Sequence, residues 1–97
     1  MELGLKGKRA IITGASKGIG KAIALTMGGE GANLAVCARG SDSLKETVKE
    51  LESKGITVYP NICDVGDKQS LESFLKESQR QLGGVDILIN NTSGFGL

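Results

Sequence analysis

The sequence predicts an α/β fold, a doubly wound parallel sheet in the strand order 3-2-1-4 with helices on both faces. Three observations carry that expectation. Short apolar runs alternate with amphipathic segments at helical spacing along all 97 residues. Three of the apolar runs are nearly continuous, as strands covered on both faces are, rather than alternating. Right-handed crossovers between parallel strands then place strands 2 and 3 on one side of strand 1 and strand 4 on the other.

Arg9–Thr13 reads as the first strand, because Ala10-Ile11-Ile12 is an unbroken apolar run. Residues 18–28 follow as a helix with Ile19, Ala22, Ile23 and Met27 on one face, and Gly28, Gly29 and Gly31 weaken its end. Asn33–Ala38 (NLAVCA) is the second strand. Residues 43–54 form the second helix. Leu44, Val48 and Leu51 share a face, Ser43 and Glu46 suit a capping box, and Gly55 stops it. Residues 56–61 (ITVYPN) are the third strand, and Pro60, which lacks a donor, belongs at a strand end or on a sheet edge. Asp67 or a neighbour caps the third helix, Lys68–Leu82. Its buried side is Leu71, Phe74, Leu75, Ser78 and Leu82, and Gly83-Gly84 end it. Residues 85–90 (VDILIN) are the fourth strand, with loop to Leu97.

Composition excludes several classes. Hydrophobic residues make up 39% and aromatics 3%, so the core is built from Ile, Leu, Val and Ala. Twelve basic against eleven acidic residues leave a charge of +1, which gives no broad field for nucleic acid or an anionic membrane. No apolar run is long enough to span a bilayer, the first eight residues contain no signal-peptide core, and a cytoplasmic protein is expected. Cys37 and Cys63 lie at no metal-ligand spacing and read as reduced thiols.

The chemistry points to one corner. Directly after the first strand the chain writes Thr13-Gly14-Ala15-Ser16-Lys17-Gly18-Ile19-Gly20 and enters a helix. Backbone N–H groups converge there, and the helix N-terminus adds partial positive charge, so the corner suits a phosphate. A P-loop is excluded, because Gly20-Lys21 is followed by Ala22 rather than Ser or Thr. The plainer alternative is that the glycines only permit a tight turn and close helix–strand packing.

This motif, TGASKGIG, resembles the cofactor fingerprint of the short-chain dehydrogenase/reductase family, whose fold is Rossmann-type. Asp64-Val65 after the third strand resembles the place where that family directs an Asp toward the adenine ring. Asp86-Ile87-Leu88-Ile89-Asn90-Asn91 is similar to its D-x-L-x-N-N segment. The resemblance covers essentially the whole chain, nearest to 3-oxoacyl-(acyl-carrier-protein) reductase-like members. One departure is Asn90-Asn91-Thr92-Ser93-Gly94 where the family writes N-N-A-G, which alters the loop beside the cofactor. The resemblance implies cofactor contacts from Gly14, Ser16, Lys17, Gly18, Ile19, Gly20, Arg39, Asp64, Val65 and Asn91. Asp64 could instead cap the third helix. Asp86 reads as a turn or packing residue, and Asn91 as bonding the sheet end, the cofactor or both.

The second strand ends Cys37-Ala38-Arg39-Gly40, with no acid before Asp42. A carboxylate there would accept from the ribose 2′-hydroxyl of NAD and repel the 2′-phosphate of NADP, whereas a guanidinium pairs with that phosphate. Arg39 together with Lys17 therefore implies NADP(H), the alternative being that both are solvated loop charges.

The family's catalytic Ser, Tyr-x-x-x-Lys and Asn fall beyond the fourth strand. Tyr59, the one tyrosine, has no lysine four residues on, and there is no histidine, so no catalytic residue is assigned. Residues 1–97 are thus expected to be the NADP(H)-binding portion of an oxidoreductase that moves hydride between nicotinamide and a carbonyl or alcohol. Alone they are expected to be inactive. With no strand beyond the fourth, its edge would be open and the piece marginal or oligomeric; the full-length form is expected to be a homo-oligomer. The competing reading is a stand-alone nucleotide-binding module, and the least favoured is a remnant without a ligand.

Overall fold

The computed structural model describes residues 4–14 and 18–91. It contains β1 (Arg9–Thr13), α1 (Gly18–Gly29), β2 (Asn33–Ala38), α2 (Ser41–Ser53), β3 (Val58–Ile62), α3 (Lys68–Leu82) and β4 (Ile87–Asn90). The four strands are all parallel, in the order β3-β2-β1-β4. The expected topology is therefore the observed one.

Both inner strands are buried on both faces, and each face feeds its own core. Leu34, Val36 and Ala38 of β2 join Ala10 and Ile12 of β1 under α1 and α2, together with Ala24, Leu44, Val48 and Leu51. Ala35 and Cys37 turn to the opposite face and join Ile11, Cys63 and Phe74 under α3. That two-sided burial explains the unbroken apolar runs. The outer strands differ. β4 alternates half-buried and exposed residues, and Leu88, beside Ile11 on the α3 side of the sheet, is 56% exposed because α3 does not extend over β4.

Local chemistry sets the helix ends. Asp67 caps α3, its carboxylate accepting from the N–H groups of Gln69 (2.9 Å) and Ser70 (3.3 Å). Gly83, at φ +78°, closes the other end in the left-handed conformation. The capping box expected at Ser43 is absent. α2 begins two residues earlier with Gly40 at the N-cap and no side-chain cap, and Ser43 lies inside the first turn. Glycine is tolerated at an N-cap, and Asp42 in the first turn favours the positive helix end.

The face of α1 also differs from expectation. Gly20, Ala24, Met27 and Gly28 are buried, Ile23 packs partly against the core, and Ile19 and Ala22 are exposed. Small residues every four positions let the helix lie close on the sheet. A Cβ at Gly28 would crowd the Ile56 side chain. Close approach thus outweighs apolar bulk in choosing the buried face.

Candidate functional site: the glycine corner at the carboxyl ends of the strands

β1, β2 and β4 end together at one edge of the sheet, pairing Thr13 with Cys37 and Thr13 with Asn90. There the backbone of β1 turns through Gly14, at φ +65°, and α1 opens at Gly18, at φ +63°. Ser16 and Lys17 lie outside the described residues, as do Thr92, Ser93 and Gly94.

The corner is held too tightly for side chains. A Cβ on Gly14 would overlap the backbone carbonyl of Asn91. A Cβ on Gly20 would overlap the Gly14 carbonyl and stand 2.6 Å from Asn91 Nδ2. The first turn of α1 therefore sits directly on the end of β1, and its first N–H groups have no partner within the helix. No acid occupies that first turn, so nothing there neutralises the positive helix end. Lys21 is turned away, its Nζ 2.7 Å from Glu50 on α2, where it lowers the pKa of that carboxyl by hydrogen bonding.

Asn91 ties the corner to the end of β4. Its N–H donates to Thr13 Oγ1 at 2.9 Å, and its Nδ2 donates to the Gly14 carbonyl at 3.2 Å. Thr13 Oγ1 in turn donates toward Asn90 Oδ1 at 3.1 Å. The role of Asn91 at the sheet end is thus shown. Thr13 was not singled out in the sequence, although it opens the fingerprint. A hydroxyl at the last position of a buried strand, 2% exposed, is the signal that could have marked it.

The other expected residues gather around this edge to different degrees. Ile19 stands outward from the first turn of α1, 71% exposed. Arg39 is exposed immediately after β2 and makes no ion pair among the described residues. Asp64, exposed after β3, accepts from the Gly66 N–H at 2.9 Å, while its own N–H donates to Ser70 Oγ at 3.0 Å. It shapes the turn into α3, and Asp67 is the cap. Val65 packs partly against the α3 core. Tyr59 is half-buried in that same core, in β3.

The residue Asp86 belongs to the opposite end of the sheet. Its carboxylate accepts from Arg9 Nε (3.0 Å), Arg9 Nη2 (3.1 Å) and the Arg9 backbone N–H (2.9 Å). These bonds hold its pKa at about 2. It is a packing residue, as expected, and its partner Arg9 also donates to the Gly83 carbonyl at 2.8 Å. Cys37 and Cys63 are both free and buried, and no cluster of three metal-ligating side chains occurs among the described residues.

A glycine-walled corner at the carboxyl ends of parallel strands, opening onto a helix N-terminus, is the geometry of a dinucleotide-binding protein. The comparisons with known proteins agree. The sequence pattern of the short chain dehydrogenase family matches residues 8–96. Hydroxysteroid dehydrogenase-like protein 2 of Mus musculus is 38% identical over 100 residues, covering 96% of this chain and 20% of its own length. A 7α-hydroxysteroid dehydrogenase solved with NADH and 7-oxo glycochenodeoxycholic acid has a TM-score of 0.90 and 40% identity, over 93% of this chain and 35% of that one. Actinorhodin polyketide ketoreductase solved with NADPH has a TM-score of 0.84 and 37% identity, over 94% and 34%. With nearly every residue inside that pattern, the chain belongs to the short-chain dehydrogenase/reductase family. It spans a third or less of the length of the curated relatives it matches, 32% of one and 20% of another. No helix among the described residues is long and apolar enough to cross a membrane.

Proposed function

We propose that this chain is the NADP(H)-binding portion of a short-chain oxidoreductase, preceding the segment that carries proton transfer. The observation that supports it most is the corner itself, where a methyl group at Gly14 or Gly20 would overlap backbone. Packing alone explains the Gly20 contact; the exposed Ile19 beside it and a first turn without an acid favour an anion at that helix end. A pyrophosphate would take the N–H groups at the start of α1, from Gly18 to Gly20, with Ser16 and Lys17 alongside. Asp64 and the backbone of Val65 would face the adenine, and Asn91 would bound the ribose side.

The choice between coenzymes rests on Arg39. Similar proteins have been solved with NADH and with NADPH, so resemblance leaves that choice open. An exposed guanidinium without a carboxylate partner, at the end of β2, favours a 2′-phosphate. When bound, the nicotinamide supplies or accepts hydride at a carbonyl or alcohol carbon; this chain holds and orients it. Two free thiols suit a reducing, cytoplasmic compartment, and the edge of β4, which pairs with no further strand among the described residues, suits continuation of the sheet or association of subunits.

Fluorescence titration with NADPH and NADH tests the assignment. NADPH binds more tightly by roughly ten- to a hundredfold, the worth of a charge-assisted hydrogen bond or two. Arg39→Asp inverts the order. Equal affinities in the unsubstituted chain sink the coenzyme assignment, and no binding of either sinks the function.

A further inference from the structure

On the outer edge of the sheet, two strands away from the glycine corner, α2 and β3 leave an open groove of about 370 Å³. Its floor is Pro60 and Ile62, and its wall is Leu44 and Val48. Ser41, Lys45, Lys49 and Asn61 complete it. The floor is unusual. Val58, Pro60 and Ile62 share one face of β3, and Val58 is only 8% exposed beneath α2. Two and four residues further on that same face is uncovered, so that Ile62 is 58% exposed. An apolar channel runs between Leu44 and Val48 of α2 and this uncovered face. From Ser41 to Lys49 it follows about 12 Å of helix, the length of a medium alkyl chain.

Two features narrow what fits. The first is backbone. Thr57 O accepts from Leu34 N–H, and Cys63 N–H donates to the Ala38 carbonyl. The backbone groups of residues 57 and 63 therefore face β2, and by strand alternation those of Val58, Pro60 and Ile62 face the open edge. Pro60 has no N–H to give there, which spoils this edge for an added strand from a peptide or a second copy. The second is charge. Lys45 and Lys49 are one turn apart on the same side of α2, and neither makes an ion pair among the described residues. No acid lines the groove. Lysine stems extend apolar walls while their ammonium groups stay in water.

From this we infer that the α2–β3 groove binds a single-chain anionic amphiphile of the fatty-acid type. Its alkyl chain lies along Leu44, Val48, Pro60 and Ile62, and its carboxylate rests between Lys45 and Lys49. This site is independent of the dinucleotide reading, since it uses neither the corner nor Arg39.

The probe is dodecanoate below its micellar concentration, added to the full chain with and without saturating NADPH. Calorimetry reads affinity, and methyl chemical shifts of Leu44, Val48 and Ile62 read position. Dodecanoate binds saturably, roughly fivefold more tightly than dodecyltrimethylammonium, as expected from one or two exposed ion pairs. Shifts concentrate on those three residues, and NADPH does not displace it. Lys45→Glu with Lys49→Glu reverses the preference between the two amphiphiles, and the far-ultraviolet dichroism of that variant checks its fold. Ile62→Asp, at a solvent-exposed site, weakens binding of both. Equal affinity for the two headgroups, shifts centred on Leu88 instead, displacement by NADPH, or association with anionic vesicles but not with monomeric dodecanoate each overturns the assignment. Failure of NADPH to bind while dodecanoate binds would overturn the proposed function and leave the groove standing.

Discussion

At the scale of single residues, the site depends on atoms that are missing. Gly20→Ala puts a methyl group into the Gly14 carbonyl and against Asn91 Nδ2. The turn must open, at a cost of about 1–3 kcal/mol in stability. The corner then loses its shape, and NADPH titration is expected to show no saturable binding. Gly29→Ala is the control. Its methyl would meet open space, and dinucleotide affinity is unchanged. The fingerprint made Gly14 and Gly20 legible in the sequence. The partner they press against was less so, because Asn91 lies 77 residues from Gly14 and only the fold brings the two together.

The titrating groups give two opposite pH limbs. Asp86 falls from 3.8 to about 2 in the folded chain, chiefly through the Arg9 side-chain hydrogen bond. Its stabilising contribution is complete above pH 3.8 and is lost as pH falls from 3.8 toward 2. Asp86→Asn therefore flattens the acid limb of a melting-temperature profile. Burial pushes the Cys37 thiol from 9.0 up to about 12. Being raised, it stabilises below pH 9 and loses that contribution as pH rises from 9 to 12. Cys37→Val is expected to remove that part of the alkaline slope, read by denaturation between those limits.

Among the elements, α3 was the most legible. Asp67 and Gly83 mark its two ends in the sequence, and the structure uses both, since each supplies local chemistry that needs no tertiary partner. Asp67→Ala should cost about 1 kcal/mol in chemical denaturation, and Asp67→Asn much less. α1 was misjudged because its buried face follows sheet proximity, not apolar bulk. The start of α2 was misjudged because Ser43 and Glu46 offered a cap that the helix begins too early to use. One polar group in α3 is poorly served. Ser78 is fully buried, and its hydroxyl has no hydrogen-bond partner among the described residues. Ser78→Ala is expected to leave stability unchanged or raise it by up to about 1 kcal/mol, because an unsatisfied hydroxyl is removed at little loss of volume.

For the whole molecule, topology was legible because β1 and β2 are covered on both faces and read as unbroken apolar runs. The outer strands shifted by one or two residues at their ends, where half-exposed positions blur the pattern. If the corner binds NADPH, the native state is stabilised by mass action. A hundredfold excess over the dissociation constant adds about 2.7 kcal/mol, or on the order of 10 °C in melting temperature for a domain this small. Differential scanning calorimetry with NADPH and with NADH measures both the size and the order of that shift.

The bonds from Asn91 to Thr13 and Gly14 also fix an order of events. The glycine corner is written within the first twenty residues, yet its last wall comes from residue 91. A growing or refolding chain can form β1, β2 and the helix between them early, through contacts close in sequence, but cannot close the corner until β4 docks beside β1. A coenzyme held there would therefore not template the early steps of folding; it would only trap the finished arrangement.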